Sequence, residues 1–334
     1  MTSKRIITGV LVTLAVLGTY LIAKDKHAPD PQQLLDAAHK ASDLSQLGSY
    51  VLTARVIVNP GDSKREQAGT LTISRDHELS RVELEINGKD EVQIRRNHAS
   101  YIVPSQTLLP TSGLIGLDKS WDPLHWRETG SGDKYKLGKV HAENIGEHRA
   151  WCFDKKTTYM KFTSTEKLCF DSTRPRLSRK GASTKNRTEF MDYTQMGEQE
   201  YPQKVSMIRE HMVPVEVTDI RIVSTSLSGE LFKPPENAIE VESCANPQPP
   251  EPRHTPEPSY PERASAESKK GMVVLNVIVA KDGTVPMARS LTSDSYGFSE
   301  SAEETVRTWQ FKPATCDGRA IAMEMNVEVN FNRF

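Results

Sequence analysis

Four cysteines, Cys152, Cys169, Cys244 and Cys316, carry the chemistry that the sequence specifies most directly. Cys152 and Cys169 sit in near-repeats, Trp151-Cys152-Phe153-Asp154 and Leu168-Cys169-Phe170-Asp171, separated by what reads as a hairpin. A bond between them would staple adjacent strands. Cys244 with Cys316 would tie a proline-rich connector to the C-terminal residues. An even count favours disulfides in an oxidising compartment, and four buried thiols are the alternative. No Cys-x-x-Cys spacing suggests zinc or redox chemistry.

Other reactive residue types lack the spacing that catalysis needs. Gly132 to Lys139 resembles a phosphate loop, but five residues precede Gly138 where four are needed, and Val140 stands where a hydroxyl would hold magnesium. His141 and His148, with Glu143 and Glu147 nearby, have no helix-spaced histidine pair and read as exposed polar residues. Asp118, Asp122 and Asp133 lie near Trp121 and Trp126 with the spacing of a solvated insert. No serine occupies a nucleophile elbow. The chain therefore reads as a non-enzyme, with no catalytic residue, no metal site and no cofactor.

The elements that position these residues fall into four stretches. The 334 residues, 37% hydrophobic and 26% charged, suffice for two globular units with short connectors. A formal net charge of -1 with scattered basic pairs gives no pull toward nucleic acid. Residues 1–26 contain a nearly continuous apolar run, Ile6 to Ala23, between Lys4-Arg5 and Lys24-Asp25-Lys26. It reads as a membrane anchor with a cytoplasmic N-terminus, or as a signal segment. Without a small-x-small cleavage site the uncleaved anchor is favoured.

Residues 31–242 open with a helical pattern, Leu34, Leu35, Ala38, Ala41, Leu44 and Leu47, and continue as short strands. Pro60-Gly61, Asn87-Gly88 and Gly130-Ser131-Gly132 punctuate them as antiparallel turns. The simplest packing is an antiparallel half-barrel with a helix near its mouth. Residues 245–259 hold six prolines, the composition of an extended polyproline linker.

Residues 260–334 have the most regular grammar. Val273, Leu275, Val277 and Val279 alternate, Asp282-Gly283 supplies turn chemistry, and a helical pattern from Phe298 to Trp309 follows, with Ser299 as N-cap and Pro313 as terminator. In the last strand Ile321, Met323, Met325, Val327, Val329 and Phe331 alternate with Ala322, Glu324, Asn326, Glu328 and Asn330, which predicts one packed and one wet face.

Tyr260-Pro261, Gly271, Asp282-Gly283, Trp309-Gln310-Phe311-Lys312-Pro313-Ala314, Gly318 and the apolar last strand together resemble the C-terminal domain of TonB-like energy transducers. The resemblance implies a small periplasmic βαβ domain that pairs a strand edge with an extended segment of an outer-membrane receptor or other envelope protein. Tyr260, Pro261, Ser265, Trp309 and Phe311 are its candidate partner-binding residues, Ser265 standing near where the family usually has glutamine. It also implies an inner-membrane, single-pass protein of the bacterial cell envelope with periplasmic domains, whose anchor could meet proton-driven motor subunits and whose docking could transmit energy for transport. Asp192-Tyr193, Tyr201-Pro202 and Leu231-Phe232-Lys233-Pro234-Pro235 more loosely resemble the end of a LolA-type lipoprotein carrier, which implies a pocket for lipid acyl chains. The expected fold class is α+β: a transmembrane helix, a half-barrel with its helix, and a small TonB-like domain. The alternative function is a periplasmic lipid- or lipoprotein-binding module that uses the TonB-like domain as a docking adaptor.

Overall fold

The computed structural model describes residues 28–96, 99–103, 114, 117–124, 134–159, 162–210, 212–242, 244, 247–292 and 294–332. The expected anchor, Ile6 to Ala23, lies outside them, as do Trp126, Gly130-Ser131-Gly132 and Asp133. Among the described residues no helix is long and apolar enough to cross a membrane.

Helix α1 (Pro31–Ser42) starts where Asp30 accepts the Gln32 and Gln33 N–H groups at 2.9 and 3.0 Å and Pro31 presets φ. Leu34, Leu35 and Ala38 form its buried stripe. Asp43 ends it, and Leu44–Leu47 continue as a separate 3-10 turn rather than as more helix.

The strands that follow are β1 (Ser49–Val58), β2 (Gln67–Asp76), β3 (Leu79–Ile86), β4 (Lys89–Arg96), β5 (Ala99–Val103), β6 (Lys134–Leu137), β7 (His141–Ile145), β8 (His148–Tyr159), β9 (Phe162–Asp171), β10 (Leu177–Gly181), β11 (Arg187–Met196), β12 (Gln199–Ile208), β13 (Val215–Ser224) and β14 (Ile239–Glu242). They pair in the order β14-β5-β4-β3-β2-β1-β13-β12-β11-β10-β9-β8-β6, with β7 also on β8. One core holds Leu35 of α1 with Leu52, Leu84, Phe153, Phe170 and Val217. A flat sheet of this width could not bring its distant strands to one short helix, so the sheet curls around α1. Phe162 to Asp171 is a single strand paired along its length with β8.

The C-terminal domain comprises β15 (Glu251–His254), α2 (Glu262–Ala266), β16 (Gly271–Val279), β17 (Met287–Ser290), α3 (Phe298–Val306), β18 (Gln310–Lys312), β19 (Ala314–Cys316), β20 (Arg319–Ile321) and β21 (Met323–Phe331). Its main sheet runs β17-β16-β21, antiparallel throughout: β16 and β17 form a hairpin, and β17, α3 and β21 make a βαβ unit split by β16. Helix α3 stops at Val306, and the Gln310-Phe311-Lys312 segment is strand, not helix end. Its N-cap is Gly297; Ser299 makes no cap, because the Asp294 carboxylate accepts the N–H groups of Tyr296, Gly297, Phe298 and Ser299 at 2.8–3.1 Å. Gly283 turns at φ +86° with its carbonyl accepting the Phe311 N–H; a Cβ there would collide with the Phe311 backbone.

Residues 247–256 do not form the free linker that their prolines predict. β15 pairs with β18, Gln248 exchanges two backbone hydrogen bonds with Thr315 at 2.8 and 3.0 Å, and Trp309 Nε1 donates to the Pro256 carbonyl at 3.0 Å. The segment is a strap along the C-terminal domain. Proline lacks a donor but still offers its carbonyl, which is why a proline-rich strand can lie at a sheet edge.

Both faces of β16 are buried. Val273, Leu275, Val277 and Val279 pack with Phe298, Ala302 and Val306 of α3. The other face, Asn276 and Ile278 with Arg289 and Met287 opposite them, lies against the half-barrel. Ile278, Met287 and Ala322 join Ile102, Ile239 and Val241 in one cluster, and the Val213 N–H donates to the Leu291 carbonyl at 2.8 Å. The expected wet face of the last strand is therefore wet only in part. Asn326, Glu328 and Asn330 are exposed, whereas Ala322 is buried and Glu324 is half-buried.

Candidate functional site

Among the described residues no strand pairs with the edge of β21 that faces away from β16, and this edge can do binding chemistry. β21 pairs with β16 on one side, from Gly271↔Phe331 to Val279↔Met323, and ends the three-stranded sheet. The direction of its main-chain groups follows from β16. The Val274 carbonyl accepts the Leu291 N–H at 2.8 Å and the Val274 N–H donates to Thr292 Oγ1 at 2.9 Å, so even-numbered residues of β16 point to the β17 side. Odd-numbered residues of β16 then bond β21, through their partners Met323, Met325, Val327 and Val329. Glu324, Asn326, Glu328 and Asn330 consequently turn their N–H and C=O groups outward, a template for one more strand.

The side chains of this edge divide in the same way. Met325 and Val327 are half-buried beside the α3 core, and Val329 and Phe331 are buried in it. On the opposite face Asn276 Nδ2 donates to Asn326 Oδ1 at 3.3 Å, while Glu324 Oε1 is buried with no hydrogen-bond partner among the described residues.

The five residues singled out from the sequence lie around this sheet rather than along its edge. Tyr260 stacks edge-on against Phe298 at 5.8 Å and Phe331 at 5.9 Å, and its hydroxyl donates to the Lys269 carbonyl. Pro261 precedes α2, which carries Ser265 half-buried. Gly271 lies under the Phe298 ring, where a Cβ would come within 2.6 Å. Trp309 and Phe311 hold the strap, Phe311 from within the core and Trp309 through Pro256. The structure joins Cys152 to Cys169 across β8 and β9, and Cys244 to Cys316 between the strap and β19.

A second polar cluster sits inside the half-barrel, where the sequence reading expected a solvated insert. Asp118 and Asp122 are 1% and 2% exposed, and Trp121 is fully buried. Asp118 accepts from Arg75 and from the Tyr50 hydroxyl at 2.6 Å, and Asp122 meets His39 Nδ1 at 2.8 Å. Lys155 and Lys180 donate to the carbonyls of Pro123 and Ser120 at 3.3 and 2.6 Å. Burial pushes the Tyr50 phenol far up and the Lys180 ammonium down to about 8. The signal was in the sequence: Leu114, Leu117 and Trp121 recur at helical spacing beside the two aspartates. His141 is exposed and bonds Glu143 at 2.8 Å.

With this geometry in hand the relatives take their place. Residues 256–332 match the family described as Gram-negative bacterial TonB protein C-terminal. In structure the chain is similar to a LolA superfamily protein from Nitrosomonas europaea, with 13% identity, 62% of this chain and 98% of that chain covered, and a TM-score of 0.44. It is also similar to a DUF1329 family protein from Desulfovibrio piger, with 13% identity, 61% and 98% covered, and a TM-score of 0.42. No curated protein matches the sequence closely. The C-terminal domain is TonB-like, and this makes the chain similar to Gram-negative envelope proteins.

Proposed function

We propose that the chain is an envelope transport protein that docks an outer-membrane receptor or another envelope partner by strand addition to β21. The observation that carries this reading is the row of outward main-chain groups at Glu324, Asn326, Glu328 and Asn330 on the last strand of a TonB-like sheet. Ile6 to Ala23 anchors it in the inner membrane and leaves both folded domains in the periplasm, a compartment in which two disulfides persist. Tyr260, Pro261, Ser265, Trp309 and Phe311 brace the sheet and its strap. Energy transmission would follow from contact between the anchor and motor subunits near Thr13. The lipid-carrier alternative has less support, because the inner face of the half-barrel is filled by α1, by Leu114, Leu117 and Trp121, and by the C-terminal sheet. A photocrosslinker at Asn326 in cells tests the docking: an adduct with an envelope protein is expected, and no adduct from any β21 position removes the reading.

A further inference from the structure

The charge pattern of β21 says what kind of strand it takes. From Met323 to Phe331 the sequence is Met-Glu-Met-Asn-Val-Glu-Val-Asn-Phe, without a lysine or arginine. Open edges are ordinarily guarded against indiscriminate pairing by charged side chains, lysine above all, or by proline. Here two glutamates stand on the outward-bonding residues. Neither has a charged partner opposite it on β16, since Glu324 faces Ile278 and Glu328 faces Val274.

Glu324 is the sharper of the two. Its Oε1 is buried and accepts no hydrogen bond from the described residues. The Arg289 guanidinium pairs with it only at 4.0 Å, beyond hydrogen-bond reach, while three of its N–H groups bond Glu91 and Asn276 Oδ1. A buried carboxylate oxygen without a donor is costly, and a cation reaching it would be favoured. Glu328 lies four residues further along the same face and is exposed.

We infer that the strand captured by β21 carries lysine or arginine opposite Glu324 and again opposite Glu328, four residues apart, with apolar residues at the intervening alternate positions beside Met325 and Val327. This rests on the strand-addition reading. In an added strand, residues opposite Glu324, Asn326 and Glu328 share their face, so the two cations project to the acidic side. The residues between them project to the side where Met325 and Val327 are half-buried. The partner class is therefore an extended segment of basic-apolar-polar-apolar-basic pattern.

The test uses the full chain and three nine-residue peptides that share the apolar positions and carry lysine, glutamine or glutamate at the two variable ones. Fluorescence anisotropy at low and high salt is compared for the wild type and the Glu324→Gln/Glu328→Gln double variant. The lysine peptide is expected to bind about tenfold tighter than the glutamine peptide at low salt, and the difference should collapse in the double variant and at high salt. Equal binding of lysine and glutamine peptides, with the double variant unchanged, overturns the charge preference and leaves strand addition standing. Tightest binding of the glutamate peptide overturns it as well. If no peptide binds, the docking reading falls and the inference falls with it.

Discussion

Arg289 of the C-terminal sheet forms a buried ion pair with Glu91 of the half-barrel, their side chains 2% and 0% exposed. Asn276 accepts two further hydrogen bonds from the same guanidinium, at 3.2 and 3.1 Å. The pair sits beside an apolar seam that includes Ile102, Ile278 and Met287. On the half-barrel it shares the face that carries Leu84, the cross-strand neighbour of Glu91. The TonB-like sheet is thus packed onto the inner face of β4, β5 and β14, and the sheet that ends in β21 is joined to the large domain by buried contacts.

Breaking that pair from one side should leave an uncompensated buried charge. Glu91→Ala is expected to destabilise the chain by about 3–5 kcal/mol, whereas Glu91→Met with Arg289→Met should fall much closer to wild type. Chemical denaturation of the single and double variants measures both, and equal losses in the two would show that the charge is not what the seam depends on.

Lys180 makes the half-barrel sensitive to alkaline pH. Burial lowers its pKa from 10.5 to about 8 in the folded chain, so between these values the native state holds fewer protons than the unfolded one. Stability should rise as pH increases through that window, because the cost of burying the ammonium disappears. A series of melts from pH 7 to 11 should show this increment in the wild type and lack it in Lys180→Met.

The two disulfides should differ in weight. Cys152 and Cys169 are 17 residues apart and Cys244 and Cys316 are 72 apart. In the chain-entropy model the longer loop restricts the unfolded chain more, by about 1 kcal/mol. Cys244→Ser/Cys316→Ser should therefore lose more stability than Cys152→Ser/Cys169→Ser. It should also release the strap, read as new protease cleavage between Cys244 and Pro256.

Local grammar was legible in the sequence where one element decides it. Leu34, Leu35 and Ala38 declared their helix, and Asn87-Gly88 its hairpin, with both residues at positive φ. Elements that depend on a distant partner were not. Pro252 and Pro256 read as a free linker because nothing local reveals that β18 and Trp309 bind them. Glu324 read as solvated because the half-barrel that covers its end of β21 is remote in sequence. Asp118 and Asp122 read as surface charges because Arg75, Tyr50 and His39, which satisfy them, come from other elements. Of the site itself, the terminal strand and its alternation were visible. Which of its residues turn their main chain outward required the pairing of β16 on both sides.

Amide hydrogen exchange on β21 tests the central claim most directly. In the free protein the N–H groups of Met325, Val327 and Val329 should be protected by β16, and those of Asn326, Glu328 and Asn330 should exchange quickly. With a saturating extended partner peptide the three even-numbered amides should gain protection, and Glu328→Pro, which removes an outward donor while sparing the β16 ladder, should abolish the gain. Even-numbered amides that are already protected in the free chain, or that stay unprotected when a partner is bound, would contradict docking by strand addition.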